Sequence, residues 1–293
     1  MRGSLRHRWF TPYAFIAPAM LVLGVFFLWA MVQVVWFSFT RYTPFQPPTF
    51  IGLANYQQLL SSERFWSCML NSAVYLLVTP ALIFLSLSAA MIVESGIRAG
   101  KWLRLLLFLP VVTPTIVAAV GWRLVLNPDQ GLVNTVLTGV GLPRIAWLTD
   151  YPWTLISAML VTLWKGFGFY MMVFLAGLLA VPRELREAAA IDGAGRWGVF
   201  RLVVLPSIWQ VITLVFIISS ISALKVFDEL FVTVKGVPIE HQTAVPLIYE
   251  EAFGRGNFGL ASAMGITLFV IILAFSLVNL RISRANQANQ GAA

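Results

Sequence analysis

The sequence predicts an all-α membrane protein with six transmembrane helices and both termini in the cytoplasm. Three observations support this: the composition, the long apolar runs and the placement of Lys and Arg. Of the 293 residues, 59% are hydrophobic and 11% are charged, and the mean hydropathy is +0.83. A soluble domain is about 25% charged. So few charges could not cover the surface of a water-soluble protein of this length, which excludes a soluble enzyme.

The net charge of +8 comes from basic residues in an apolar chain. This distribution argues against a disordered protein and against a nucleic-acid partner. Cys68 is the single cysteine, so we expect neither a disulfide framework nor a thiolate metal cluster. Since His7 and His241 are the two histidines, a histidine-based metal site is not expected either.

Six apolar runs are long enough to cross a bilayer, which requires about 20 residues in a helix whose backbone groups bond within the segment. The first run is far longer than the ~7–15-residue apolar centre of a signal peptide, so we interpret it as a retained helix. The runs are Tyr13–Phe39, Phe65–Val93, Leu105–Leu126, Thr154–Val181, Pro206–Val226 and Phe258–Leu280.

Lys and Arg are enriched in cytoplasmic loops, so their positions predict orientation. Twelve lie in the two terminal tails and in the second and fourth loops, against five in the alternate loops. Both termini are therefore expected in the cytoplasm. The twelve are Arg2, Arg6, Arg8, Arg98, Lys101, Arg104, Arg183, Arg186, Arg196, Arg201, Arg281 and Arg284; the five are Arg41, Arg64, Arg144, Lys235 and Arg255.

Prolines predict irregularities within two runs. Pro80 lies midway along the second run, and Pro110 and Pro114 lie near the start of the third. Each removes a backbone donor and tends to kink a helix. Either neighbouring contacts tolerate the kinks, or the broken helices line a path. The outer segments are rich in Gly, Pro and Asn and could form a cap where an external partner docks; they are Thr43–Ser62, Asn127–Pro152 and Glu229–Asn257.

The sequence of the loop at residues 182–206 predicts two short helices joined by a turn. Pro182 suits a first helical position, Glu184 complements the positive helix end, and an alanine run favours helix. Gly193 and Gly195 supply the turn, and Pro206 is expected to start the fifth membrane helix. The loop is more apolar than a solvated connector requires, so we expect it to pack on a partner. The apolar residues are Leu185, Ala188, Ala189, Ile191, Trp197 and Phe200.

The spacing within this loop resembles a known signature. Glu187-Ala188-Ala189, Gly193, and Val203-x-Leu205-Pro206 are similar to the E-A-A-x3-G-x9-I-x-L-P signature of ABC importer permeases, with Val203 in place of the usual Ile. Residues 110–134 and 227–238 resemble the third-helix region and the segment after the fifth helix of sugar-type permeases. The resemblance to binding-protein-dependent permeases of maltose and glycerol-phosphate type covers essentially the whole chain.

The resemblance implies one transmembrane permease domain over 1–293, with the ABC type I importer fold. The loop at 182–206 would be the coupling helix that sits in a cleft of a cytoplasmic ATPase. The residues implied in this coupling are Glu187, Ala188, Ala189, Asp192, Gly193, Ala194, Leu205 and Pro206. The implied partners are a second permease subunit, forming a heterodimer, two ATPase subunits carrying ATP and Mg, an extracytoplasmic solute-binding protein and membrane lipid. The implied location is a bacterial or archaeal cytoplasmic membrane, and no cofactor is expected in this chain.

Two glycine patterns match the dinucleotide fingerprint G-x-G-x-x-G, one starting at Gly193 and one at Gly254. Phosphate binding by this motif requires a strand before it and a helix after it within a strand–helix–strand unit. Neither pattern has that predicted context, and the sequence contains no G-x-x-x-x-G-K-[ST] loop. We therefore expect ATP hydrolysis in another subunit and no catalytic residues here.

Ionisable residues at membrane depth are candidates for function. Lys165 is eleven residues into the fourth run, about 16 Å from its outer end at ~1.5 Å per residue. It could line a path or contact a partner, or it could form an ion pair or a carbonyl contact. Lys225 and Arg123 lie at the outer ends of their runs, where long side chains reach the interface. The aromatic and hydroxyl side chains around Lys165 suit a polyol better than an ion.

The resemblance also implies path residues. On the fourth helix, Thr162, Lys165, Gly166 and Phe169 match the spacing of sugar-contacting residues in maltose-type permeases. On the fifth, Ser219, Ser222, Ala223 and Val226 do so. The family's aromatic and amide groups are replaced here by Ser222, Ala223 and Val226, and Lys165 replaces an apolar residue.

The leading prediction is a permease subunit of an ATP-driven importer for a sugar, oligosaccharide or related polyol. An importer of another polar solute, such as glycerol phosphate, is the main alternative. A secondary transporter should show inverted repeats or acidic ion-coupling residues in its spans, and none is evident in the sequence. A membrane-embedded enzyme would require a catalytic constellation that the sequence lacks.

Overall fold

The structure is a computed structural model that describes residues 11–96, 100–234 and 236–290. Several basic residues used to predict orientation lie outside the described residues: Arg2, Arg6, Arg8, Arg98 and Lys235, together with the side chain of Arg284.

The described residues are mainly helical, with one short β-hairpin. Its α-helices are α1 (Thr11–Leu23), α2 (Trp29–Ser38), α3 (Ala54–Leu60), α4 (Glu63–Tyr75), α5 (Val78–Glu94), α6 (Gly100–Val112), α7 (Thr115–Val125), α8 (Leu132–Gly139), α9 (Trp153–Leu179), α10 (Arg183–Ile191), α11 (Arg196–Val199), α12 (Leu205–Ser207), α13 (Trp209–Leu224), α14 (Asp228–Thr233), α15 (Ala244–Tyr249) and α16 (Phe258–Gln290). Single π-turns lie at Gly24–Leu28, Phe200–Val204 and Glu250–Gly254, and a 3-10 turn lies at Ile239–His241.

The predicted apolar runs correspond to helices long enough to cross a membrane. Among the described residues, four helices meet the length and hydropathy requirement alone, and two more do so as bent pairs. The four are Pro12–Ser38, Glu63–Glu94, Trp153–Leu179 and Phe258–Ser283; the pairs are Gly100–Val112 with Thr115–Val125, bent by 100°, and Arg196–Ser207 with Trp209–Leu224, bent by 65°. If each pair crosses once, the total is the predicted six. The number of crossings and the side on which the termini lie stay predictions.

The third run is broken at Pro114 and not at Pro110. Pro110 lies inside α6, whereas Pro114 is the N-cap of α7 with ψ of 135°. A proline disfavours helical geometry in the residue before it, so Thr113 leaves the helix and the chain turns. The helix also begins at Gly100, five residues before the predicted start.

Pro80 does not break the second run. The irregularity lies at Leu76–Leu77, between α4 and α5, and Pro80 is the third residue of α5. The first N–H groups of a helix have no intrahelical acceptor, so a proline at this position removes no helical hydrogen bond.

The prediction that Pro206 starts the fifth membrane helix is wrong. The helical segment that contains Pro206 begins at Arg196, passes through the π-turn Phe200–Val204 and ends at Ser207. The backbone N–H of Leu205 bonds to Phe200 O across this wider turn. Such single-turn π-bulges commonly accompany a break in the regular helical ladder. The bend falls after Ser207, and α13 begins at Trp209.

The described chain forms two compact units. The first contains residues 11–62 and 248–269, and it holds a hairpin that the sequence pattern did not reveal. Strands β1 (Thr40–Thr43) and β2 (Gln46–Phe50) pair antiparallel, with Thr40 opposite Phe50. The Asn55 amide donates to the carbonyl oxygens of Ser38 and Thr40, both at 2.9 Å. A Cβ atom on Gly259 would overlap the Thr40 carbonyl oxygen, so only glycine permits this approach.

The second unit contains the remaining described residues of 63–247 and 270–290. Its core lies where α5 packs along α9, with α6 and α13 against the same pair. Leu82, Met171, Phe174 and Leu178 are among the buried side chains of this core. Because α5, α6 and α13 pack against α9, the positions of Lys165 and of the loop that follows α9 are fixed.

Candidate functional site

The segment after α9 folds as two short helices with a tight turn, as predicted. Pro182 is the N-cap of α10, one residue before the predicted position. Gly193 has φ of +88°, a left-handed conformation that favours glycine. Gly195, also predicted to supply the turn, has φ of −66° and is the N-cap of α11 instead. The N–H of Ala194 bonds back to Ala189 O at 3.0 Å, which closes the turn.

The residues predicted to couple to an ATPase lie on an open surface. Glu187, Ala188, Asp192 and Gly193 are exposed, and Ala189, Ala194 and Leu205 are half-buried, whereas Pro206 is exposed past the π-turn. Apolar side chains accompany them: Ile191 is 86% exposed and Trp197 is 72% exposed. We call residues 185–197 the coupling surface.

Large apolar side chains exposed together on a polar-rimmed segment are typical of an interaction site. The acidic and basic residues of α10 surround them, and each of the nine residues Arg183–Ile191, all of which the structure describes, is exposed or half-buried. The coupling surface therefore has the character of a docking element.

Lys165 makes a carbonyl contact, one of the alternatives considered from the sequence. Its Nζ atom donates to Thr113 O at 3.0 Å, and Thr113 lies at the 100° break between α6 and α7. Trp122 on α7 meets Trp164 on α9 edge to face, with ring centroids 6.0 Å apart. The lysine and the tryptophan pair together join α9 to both sides of the break.

Glu229 belongs to the same cluster, although the sequence named it only as the first residue of an outer segment. It lies in α14, which packs on α7 and α9. Burial raises the pKa of this carboxyl group, and Asp228 adds to the rise, while its own backbone N–H and Lys165 oppose it. The signal available in the sequence was the pair of adjacent acids Asp228-Glu229. Their approach to Lys165 depends on the packing of α14 on α9.

A hydroxyl pair lies close to this cluster. The Tyr75 hydroxyl and the Thr162 hydroxyl are 2.8 Å apart. Tyr75 is fully buried at the end of α4, and sequence reasoning did not single it out. Thr162 therefore joins α9 to α4, while Lys165, one turn along, joins α9 to the broken helix.

The other predicted path residues fall into two groups. Phe169 is 44% exposed, and Ser222 is exposed and bonds to Tyr170. By contrast, Gly166 faces Leu82, and Ser219 is 2% exposed with its hydroxyl bonded to Val215 O of its own helix. The structure thus leaves Phe169 and Ser222 accessible and places Ser219 inside the protein. A path role for all of them stays a prediction.

The segments predicted to lie on the outer side are held by several hydrogen bonds. Asn134 is buried; its Nδ2 donates to Pro128 O and Ile145 O, both at 2.9 Å, and its Oδ1 accepts from Trp147 Nε1 at 3.0 Å. The Asn71 amide donates to Glu240 O and Gln242 O at 2.8 and 2.9 Å. These hydrogen bonds give the segments around 127–152 and 239–244 defined shapes.

Both glycine patterns lack the nucleotide-binding context. Gly193 follows helix α10, and Gly254 ends the π-turn that follows α15. The strand that phosphate binding requires before the motif is replaced by a helix in each case.

Comparison with known proteins gives a family and a set of relatives. Residues 82–287 match the model of the family described as "Binding-protein-dependent transport system inner membrane component". The chain is 32% identical to the trehalose/maltose transport system permease protein of Thermococcus litoralis over 93% of both chains. It is 31% identical to the alpha-glucoside transport system permease protein of Rhizobium meliloti, over 92% of this chain and 81% of that protein.

A solved structure has the same fold. A chain of a bacterial alginate ABC transporter, crystallised with an alginate pentasaccharide-bound periplasmic protein, superposes with a TM-score of 0.83. The similarity covers 93% of both chains at 24% sequence identity. The prediction of an ABC type I importer fold is confirmed by this likeness.

Proposed function

The chain belongs to the family of binding-protein-dependent transport system inner membrane components, and on this premise we propose that it is the permease subunit of an ATP-driven importer of a sugar, oligosaccharide or related polyol. Its family membership makes it a multi-pass inner-membrane translocation component. The observation that carries the proposal is the coupling surface, where the EAA-type residues lie exposed beside Ile191 and Trp197.

We place the ATPase contact on that surface. Glu187 would form the charged anchor to a basic residue of the ATPase, and the small side chains of Ala188 and Ala189 would allow close approach. When two ATPase subunits close on ATP, a helix lodged in each cleft carries the movement into the membrane bundle. ATP and Mg would be bound by those subunits, and this chain would contribute movement and no catalytic group.

The names of the relatives support a saccharide as the substrate. One is a permease for trehalose and maltose, and another is a permease for alpha-glucosides. In this chain Phe169 offers an exposed aromatic face and Ser222 an exposed hydroxyl. Stacking on the C–H face of a sugar ring and hydrogen bonds to its hydroxyls require these two kinds of group.

We further propose that a second permease subunit completes the path as a heterodimer. A solute-binding protein would deliver substrate to the outer segments around 127–152 and 239–244. Hydrogen bonds from Asn134 and Asn71 give these segments defined shapes. Six crossings, with both termini in the cytoplasm, would place these segments opposite the coupling surface.

The test is transport by the reconstituted complex. The chain is co-expressed with its partner permease, ATPase and binding-protein subunits, and uptake of maltose, trehalose and glycerol phosphate is measured in proteoliposomes. We expect saccharide uptake that requires both ATP and the binding protein. Uptake of glycerol phosphate alone would favour the other-solute importer, and uptake driven by an ion gradient without ATP would refute the proposal.

A paired variant tests the coupling surface itself. We expect Glu187→Lys combined with Gly193→Asp to abolish ATP-driven uptake and co-purification of the ATPase while membrane insertion is retained. The matched control is Asp129→Lys, the same acid-to-lysine change at an exposed position of the predicted outer side, which should keep the ATPase bound. Normal uptake by the paired variant would refute the coupling role.

A further inference from the structure

One side chain of the coupling helix reaches two membrane helices. Arg186 Nη1 lies 2.5 Å from Glu94 Oε1, and Arg186 Nη2 donates to Leu178 O at 2.9 Å. Glu94 is the last residue of α5, and Leu178 lies in the last turn of α9. Arg186 therefore connects α10 with the neighbouring ends of the second and fourth spans.

The contacts of Arg186 restrain its side chain more than an exposed surface ion pair would. The side chains of Arg186 and Glu94 are only 23% and 24% exposed. The planar guanidinium holds its donors in a fixed fork, so two bonds in different directions fix its position and orientation. Exposed ion pairs lack this restraint and contribute little.

Glu94 is poorly placed for the stability of its own helix. A carboxylate at the C-terminal end faces the negative end of the helix dipole, which is unfavourable, whereas a cation there is favourable. Arg186 supplies that cation to both α5 and α9. The acid at the end of α5 is thus explained by its partner on the coupling helix.

Packing adds little to this connection. No residue of Arg183–Ile191, all within the described part of the chain, is buried. An open groove of about 370 Å³ lies between α10 and the span ends, lined by Met91 and Ala190 among others. Packing on the core is made further along the chain, by Val199, Phe200 and Val203. Across this groove, the two hydrogen bonds of Arg186 join α10 directly to the span ends.

We propose that Arg186 is a positioning residue that transmits movement of the coupling helix to the ends of the second and fourth spans, with Glu94 as its receiving partner. The proposal rests on the proposed function, since it names the route by which ATPase movement enters this chain. Loss of the link uncouples ATP hydrolysis from transport without preventing assembly.

The experiment compares Arg186→Met, Glu94→Gln and the charge exchange Arg186→Glu with Glu94→Arg, each in the complete reconstituted transporter. We expect the single variants to assemble and hydrolyse ATP but to transport at least tenfold less substrate per ATP. The charge exchange should recover part of that ratio. The matched control Arg183→Met removes an exposed cation of the same helix and should keep the wild-type ratio.

A second readout does not depend on substrate. Ser95 follows Glu94 and is exposed, and Cys68 is buried, so a Ser95→Cys thiol can be labelled selectively. ATP should change its labelling rate in the otherwise unaltered complex and not in the Arg186→Met complex. If no saccharide is transported but this difference is found, the proposed substrate is wrong and the link stands. A wild-type transport ratio or an unchanged ATP response in Arg186→Met would overturn the link.

Discussion

The ammonium group of Lys165 lies 3.0 Å from the carbonyl oxygen of Thr113, at the point where the third apolar run turns by 100°. A break of this size leaves backbone carbonyls without helical partners, and a lysine from α9 satisfies one of them. The residue that the sequence marks as a possible path cation is therefore also a support for the broken helix.

The first prediction concerns Lys165→Met. This change removes a charge-assisted hydrogen bond worth about 1.5–3 kcal/mol, so we expect a lower unfolding temperature and an uptake rate reduced by about tenfold or more. Uptake rate and apparent affinity are measured in proteoliposomes, and unfolding is followed in detergent. Lys225→Met, at an exposed position directly after α13, is the control and should transport normally. Wild-type affinity and rate for Lys165→Met would contradict a path role.

The second prediction concerns the pH dependence of stability. Burial raises the pKa of Glu229 above its ordinary value of 4.5. The charged form is therefore disfavoured in the folded protein, and the penalty appears as pH rises from the ordinary pKa through the raised one. Glu229→Gln should stabilise the protein at pH 7 and have no effect below about pH 4. Thermal unfolding across this pH range checks it, and a pH-independent difference would contradict it.

The third prediction compares two glycines of the coupling surface. Gly193 has φ of +88°, whereas Gly195 has φ of −66°, and neither has an atom within 4 Å of an added Cβ. Gly193→Ala therefore incurs backbone strain alone, about 1–2 kcal/mol, and should loosen the turn and lower ATP-driven uptake. Gly195→Ala should be close to wild type. Amide hydrogen exchange over residues 183–199 measures the loosening, and equal exchange in the two variants would refute the explanation.

The fourth prediction concerns the contact between α6 and α9. A Cβ atom on Gly168 would overlap the carbonyl oxygen of Leu107. Since a backbone atom cannot rotate away, Gly168→Ala should destabilise the protein by about 1–3 kcal/mol or more. Gly265→Ala, where a Cβ atom meets nothing within 4 Å, should be neutral or slightly stabilising. Thermal unfolding of the two purified variants distinguishes the outcomes.

The apolar runs and the helix-turn-helix of the coupling surface could be predicted because they depend on local composition. Runs of about 20 apolar residues have few alternatives to a membrane helix. The turn at Gly193 follows from glycine tolerance of positive φ. Family spacing then placed Glu187 on the exposed loop, where the structure has it.

The features that were missed depend on contacts between distant residues. The partner of Lys165 is 52 residues away, and that of Arg186 is 92 residues away. The hairpin near Thr40 is held by Asn55 and by the close approach of Gly259. Proline positions alone did not give the breaks, because Pro80 and Pro110 are tolerated within helices whereas Pro114 is not.

The 65° bend after Ser207 determines how a displacement of Arg196–Ser207 would be transmitted to α13. A displacement along the axis of Arg196–Ser207 projects by less than half onto the axis of Trp209–Leu224, and its larger component is perpendicular to that axis. The fifth span would then respond as a lever pivoting near Ile208, which is buried. Its far end, near Ser222, would move perpendicular to the axis of α13 more than along that axis.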